Sequence, residues 1–233
     1  MEVRNRCKEI ILGSLLGDGS LRIHKPYTNA RFSFRHSVKQ KEYFFWKVKE
    51  LKEISSKNCF WKQKDGKFRY QSLALVSLTE LHHLTHRKGK LYIHPKWLNK
   101  LTPLSLTIWW LDDGSLIADS RQGVFCTDGF DYEDLLVLKS CLQETWRVKT
   151  QIGRMGQYYR LWIRSSRELK KFLRIILPHI PVVSMLPKVI LLYKDSQFQK
   201  RWISEVCQLT RFSPQLIQKY LEEKRRRWKN FRE

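Results

Sequence analysis

Apolar and polar positions along the chain fall into a pattern that is written twice. "IILGSLLGDGSL" (Ile10 to Leu21) is an apolar, helix-like run that carries Gly13 and Gly17 and closes on Asp18-Gly19. "LTPLSLTIWWLDDGSL" (Leu101 to Leu116) is a second such run, closing on Asp113-Gly114. Asp18-Gly19-Ser20-Leu21 and Asp113-Gly114-Ser115-Leu116 agree at an offset of 113 − 18 = 95 residues. Beyond each, strand-like alternation gives way to an amphipathic helical stretch, Ala30 to Leu51 in one copy and Gln122 to Leu142 in the other. Later, "KFRYQSLALVSLTEL" is echoed by "YYRLWIRSSREL", with Ser77 and Glu80-Leu81 answering Ser165 and Glu168-Leu169. Self-similarity of this length predicts two related units. Each reads helix, hairpin, helix, hairpin, helix, an α+β unit of order αββαββα. The boundaries drawn from the pattern are 1–92 and 101–212, with 93–100 as linker and 213–233 as a basic helical extension.

Local signals mark the ends of the two central helices. Asn5 is a suitable cap for a helix running to about Asp18, where Gly19 stops it; Thr102 caps the second, Pro103 fits its first turn and Gly114 ends it. The strands alternate with period two, so Arg31, Ser33 and Arg35 face away from Phe32 and Phe34. In the same way Lys67, Arg69 and Gln71 oppose Phe68 and Tyr70, and Arg160, Trp162 and Arg164 oppose Leu161 and Ile163. One face of each sheet is core and the other is basic.

Charge sharpens that picture. The chain of 233 residues holds 45 Lys+Arg against 22 Asp+Glu, a net charge of +23, yet 42% of it is hydrophobic, so it is a folded basic body and no disordered tail. Such a body most often meets nucleic acid, and guanidinium-rich strands suit base edges and phosphates. No run approaches the roughly 18 apolar residues of a membrane span, and "MEVRNRCKEI" is too charged for a signal peptide, so an intracellular protein is expected, in an organelle or a prokaryotic cytoplasm. Cys7, Cys59, Cys126, Cys141 and Cys207 show no Cys-x-x-Cys spacing and read as free thiols.

The glycines and acids then need a reason. Glycine inside a helix costs about 0.5–1 kcal/mol relative to alanine, and Gly13 and Gly17 share one face. A bare face lets another helix backbone come close, and the repeat supplies that helix. Parallel packing would bring Asp18 to Asp113, two carboxylates at the negative ends of helix dipoles, facing phosphates. Only a cation makes this reasonable, and oxygen ligands beside phosphate select a hard ion, magnesium first. Asp112 is a rival for the second acid. It occupies the place of Gly17, so Gly17 and Asp112 are expected to contribute backbone carbonyls to the metal site.

"LGSLLGDG" and "LTIWWLDDGSL" resemble the two motifs of single-chain LAGLIDADG homing endonucleases, and the resemblance extends over about Ile10 to Ile190. It implies two pseudo-twofold-related halves, saddle-shaped antiparallel sheets on DNA, and a parallel helix pair at the centre. It also implies cleavage of both strands with short 3′ overhangs, by about two or three divalent ions, with Mn2+ able to replace Mg2+. The last motif acids, Asp18 and Asp113, match the family's metal ligands, and Lys90 and Lys188 match its assisting lysines by position. The departures are Ile108 where the first motif has Gly13, and His36 and Asp128 where a glutamine is common. The expected DNA contacts are Arg22, His24, Arg31, Ser33, Arg35, Lys67, Arg69, Gln71, Arg121, Arg154, Arg160 and Arg164. The expectation is thus a monomeric, magnesium-dependent endonuclease for a double-stranded target of about two turns. The alternatives are an intron maturase binding intron RNA and a DNA-binding regulator that does not cut; the paired acids argue against the last.

The extension "SPQLIQKYLEEKRRRWKNFRE" reads as a helix capped by Ser213, with Pro214 in its first turn and Ile217, Leu221, Trp228 and Phe231 on one stripe. Arg225, Arg226, Arg227 and Lys229 form its basic end. Docked beside the second sheet it would add sequence-independent DNA affinity, so truncation after Arg211 should weaken DNA binding, flatten its salt dependence and leave the cleavage position and base preference unchanged.

Overall fold

The structure, a computed structural model, describes residues 4–117 and 120–229, for 228–229 the backbone alone. The first half runs α1 (Asn5–Leu15), β1 (Gly19–Arg22), β2 (Arg31–His36), α2 (Lys41–Glu50), β3 (Phe60–Lys62), β4 (Phe68–Gln71) and α3 (Val76–Thr85). A short hairpin, β5 (His86–Arg87) and β6 (Lys90–Leu91), and a one-turn helix, α4 (Pro95–Leu98), follow. The second half repeats the order as α5 (Pro103–Asp113), β7 (Gly114–Ile117), β8 (Gln122–Phe125), α6 (Tyr132–Glu144), β9 (Gln151–Met155), β10 (Tyr158–Ile163) and α7 (Ser166–Ile176). A 3-10 turn (Val183–Lys188), α8 (Ser196–Leu209) and α9 (Pro214–Lys229) complete the chain.

The two sheets are antiparallel and have the same topology, β1-β2-β4-β3 and β7-β8-β10-β9. Their alternation is as the pattern predicts: along Arg31–His36 the even positions Phe32, Phe34 and His36 are buried and the odd ones are not. Phe34 stacks on Tyr70 with centroids 4.9 Å apart, and in the second half Trp109 stacks on Phe125 at 4.1 Å. α5 is buried from Leu104 through Asp112, as befits a helix apolar on every side.

α1 and α5 run side by side and parallel. Near their starts the Ser105 hydroxyl donates to Glu9 O at 2.9 Å; near their ends the Asp18 amide donates to an Asp112 carboxylate oxygen at 3.4 Å. Gly13 makes the approach possible, since a Cβ there would lie 2.3 Å from Ser105 O. At Gly17 a Cβ would lie 2.6 Å from the Asp112 Cβ. α1 is shorter than its pattern suggests. Arg4, not Asn5, is the cap residue, and the Leu16 and Gly17 amides bond three residues back, to Gly13 O and Ser14 O, so a tight turn and not a helix carries Asp18. α5 begins as expected, with Thr102 Oγ1 accepting from the Ser105 amide at 3.3 Å, and stops at Gly114.

The connection between the halves is itself folded. Trp97 is fully buried and donates its indole N–H to Tyr92 O at 2.8 Å, with Ile93 and Leu98 packed beside it. α9 packs on the 3-10 turn and on α8, and its Arg225 lines a cavity with Arg121 of the β7–β8 turn of the second sheet. The packing on the 3-10 turn answers apolar demand, because Ile217 and Leu221 are buried where Met185 and Leu186 of that turn are buried too. The Trp228 and Lys229 side chains and Phe231 lie outside the described residues.

Candidate active site and nucleic-acid face

Each motif acid stands directly before the first strand of its sheet, Asp18 before β1 and Asp113 before β7. The close helix pair brings both acids and Asp112 within electrostatic reach of one another. Burial, and then the charges of Asp18 and Asp112, push the Asp113 carboxyl from its ordinary 3.8 up to about 7, against Lys188 and Lys47. Asp18 moves the other way. Burial would raise it, but the His36 ring, Lys47 and Lys188 outweigh that and hold it below the usual carboxylate value.

Lys188, brought in by the 3-10 turn, donates to Leu111 O at 2.6 Å and Asp112 O at 3.3 Å, so it closes the carbonyl end of α5 beside Asp113. Burial lowers its pKa, although Asp112, Asp113 and Asp18 all favour its charge.

Asp112 has a role the sequence did not suggest. Its carboxylate is fully buried and accepts from Lys47 Nζ at 3.0 and 2.9 Å and from the Tyr43 hydroxyl at 2.9 Å. Its carbonyl faces Lys188. Both partners of the carboxylate come from α2, in the other half. A lysine in the apolar stripe Tyr43, Phe44, Lys47 and Leu51 of "KEYFFWKVKEL" was the available signal, since a buried lysine is retained only with a partner. Lys90, by contrast, is exposed on the β5–β6 hairpin opposite Arg87, and the cations that act on Asp18 and Asp113 are His36, Lys47 and Lys188.

One group of side chains able to hold a metal ion stands here. Ligand atoms of Asp18, His36 and Asp112 lie within 4.8 Å of one another. His36 is buried with Nδ1 3.2 Å from Asp18 Oδ2 and Nε2 3.8 Å from Asp112 Oδ1, yet neither ring nitrogen makes a hydrogen bond. Lys47 already neutralises Asp112, and of the other two acids Asp113 is the one whose charge its surroundings disfavour.

The strand pairing aligns the predicted contact residues. Arg22 pairs with Arg31, Ser20 with Ser33, Ser33 with Gln71 and Arg35 with Arg69, which places these side chains on one face of the first sheet. Arg31 lies 3.9 Å over the Tyr27 ring, and Arg69 lies near Trp61. Lys67 and Arg35 both approach Asp65, at 3.7 and 3.9 Å, and His24 is exposed in the β1–β2 loop. Arginines of the second sheet are engaged likewise. Arg160 is held by Asp128 through two bonds of 2.6 Å, and Arg164 lies 4.8 Å over Trp162. Arg154 pairs with Tyr159 and so stands on the opposite side from Arg160. Arg121, at the β7–β8 turn, lines a surface cavity together with Lys194 and Arg225.

Comparison with known proteins agrees with this geometry. The chain is 25% identical over 189 residues to the DNA endonuclease I-ChuI of Chlamydomonas applanata, covering 70% of this chain and 85% of that one. It is 28% identical over 159 residues to the cytochrome b mRNA maturase bI2 of Saccharomyces cerevisiae, covering 61% and 37%. RecA of Mycobacterium gastri matches at 30% over 193 residues, 74% of this chain; the chain spans only 44% of that relative's length. Among solved structures, the homing endonuclease I-WcaI bound to its DNA recognition sequence superposes with a TM-score of 0.74 at 20% identity, over 83% of this chain and 89% of that one, a likeness of fold. Residues 8–172, both motif acids and both four-stranded sheets among them, match the LAGLIDADG DNA endonuclease family, and the chain belongs to that family.

Proposed function

We propose that the protein is a monomeric, site-specific double-strand DNA endonuclease that hydrolyses one phosphodiester in each strand with Mg2+ and leaves short 3′ overhangs. The observation that supports this reading is that Asp18, just beyond α1, and Asp113, at the end of the parallel α5, feel each other's charge between two sheets of identical topology. Asp18 and Asp113 would hold the divalent ions, with Gly17 and Asp112 carbonyls as further oxygen donors. When bound, such ions generate a nucleophilic water and stabilise the attacking and leaving oxygens. The protein's own part is positional and electrostatic. His36 fixes the Asp18 carboxylate from the β2 side, and Lys47 confines excess negative charge by neutralising Asp112. Lys188 supplies positive charge where the phosphate gains negative charge in the transition state. Arg22, Arg31, Arg35 and Arg69 would read bases and phosphates along one half of a target of about two turns.

The test is cleavage of a plasmid library of randomised long targets in Mg2+, with sequencing of the ends. The wild type should yield linear DNA with 3′ overhangs, and Mn2+ should substitute. Asp18→Asn and Asp113→Asn should bind the selected target and not cut it. Cleavage by both variants at the wild-type rate would overturn the site assignment. The likeness to the bI2 maturase supports a second reading, binding of intron RNA by the same fold, which filter binding of a structured intron against its spliced exons distinguishes.

A further inference from the structure

The segment from Pro187 to Tyr193 carries Lys188 to the end of α5, yet beyond Lys188 it forms no helix or strand. It is nonetheless buried, with Val189, Ile190 and Leu191 fully so and Leu192 nearly. A buried strap without a ladder must have its carbonyls satisfied from elsewhere. Here side chains supply the donors. Trp110 donates its indole N–H to Lys188 O at 2.9 Å, Trp202 to Val189 O at 3.2 Å, and Gln199 its amide to Leu191 O at 3.0 Å. Lys224 of α9 supplies two bonds at once, to Pro187 O at 2.7 Å and Ile190 O at 2.6 Å, on either side of Lys188. Burial lowers the Lys224 ammonium to about 7. An apolar residue in its place would avoid that cost but leave both carbonyls bare. The strap, α8 and α9 follow the residues 8–172 that match the family.

We propose that Lys224 is a positioning residue for the active centre: by gripping the carbonyls that flank Lys188, it fixes the turn that sets the Lys188 ammonium beside Asp113. This rests on the reading that Lys188 acts at the site. α9 therefore serves chemistry as well as charge.

The experiment uses the full chain and the selected target, and compares Lys224→Met, Lys188→Met and the double variant. Single-turnover cleavage in Mg2+, DNA affinity in EDTA and the Trp110 indole 1H–15N resonance are measured. Lys224→Met should cut about tenfold or more slowly, because small displacements of a catalytic group are costly. Its DNA affinity should stay within about twofold, since nothing that touches DNA is removed. The Trp110 resonance should move, and the double variant should be no slower than Lys188→Met. Lys224→Gln, which keeps two N–H donors one bond short, should fall between wild type and Lys224→Met, and it carries the comparison if the methionine variant does not fold. Wild-type cleavage with an unmoved Trp110 resonance overturns the proposal, as does a slowing that multiplies in full with that of Lys188→Met. If Lys188→Met itself cuts at the wild-type rate, the reading of Lys188 fails, and the role of Lys224 with it.

Discussion

Replacing Asp113 by asparagine should stabilise the metal-free protein while removing its activity. In the fold, Asp113 is half-buried at the negative end of α5 and faces the charges of Asp18 and Asp112, which with burial raise its pKa from 3.8 to about 7. That rise corresponds to about 4 kcal/mol if nothing relaxes. Water on the open side of the carboxylate screens part of it, so a gain of about 1–2 kcal/mol is expected. Between about pH 4 and 7 the folded protein keeps a proton that the unfolded chain has released. Stability therefore falls as pH rises through that window, and the full cost is present above it. Asparagine has the same shape and no charge. Its advantage should be largest at pH 8, smaller at pH 5 and absent below about pH 4. Urea unfolding of both proteins in EDTA at these pH values measures the difference. Added Mg2+ should stabilise only the wild type and narrow the gap. A variant no more stable than wild type at pH 8 in EDTA would refute the view that Asp113 is held against its neighbours' charge.

Gly13→Ala should cost about 1–3 kcal/mol in urea unfolding, because its Cβ would press on Ser105 O of the partner helix; a loss below 0.5 kcal/mol, about the size of an ordinary surface change, would mean the helices can separate without penalty. Lys47→Met should cost about 3–5 kcal/mol by leaving Asp112 buried and unpaired, and Lys47→Met with Asp112→Asn should recover most of it. Additive losses in the double variant would show that the pair is not a unit. Arg35→Ala should relax base preference at one or two target positions and cost about 1–3 kcal/mol there; a uniform loss across targets would assign it to phosphate alone.

The helix pair, both acids and the alternating strands were legible because they obey short-range rules: a repeat at one offset, period-two alternation, and glycines four apart. Lys188 was placed through its position relative to the second motif. What stayed hidden depends on contacts between distant segments. Lys47 is one of 45 Lys and Arg residues in the sequence; its place in an apolar stripe marks it for burial, but its partner Asp112 lies 65 positions away. Asp112 reads as the counterpart of a glycine, hence as a carbonyl, until that lysine is seen. Lys90 precedes the second motif much as Lys188 trails it, but a tight hairpin turns it to solvent. The basic end of α9 reads as a DNA-binding tail. Its apolar stripe gave no hint of which surface would receive it.

The seam between α1 and α5 also bears on how the chain can change. The small residues, Gly13 and Gly17, belong to one helix, and the bulk and charge, Ile108 and Asp112, to the other. Two copies of the second half facing each other would bury a pair of aspartates without Lys47, because the buried residues of α6, the counterpart of α2, are Leu135, Leu138 and Leu142. Two copies of the first half would set glycine against glycine, without the Asp112 that Lys47 pairs with here. The seam thus has two unlike sides, and under the proposed function a target met by two unlike halves need not be palindromic.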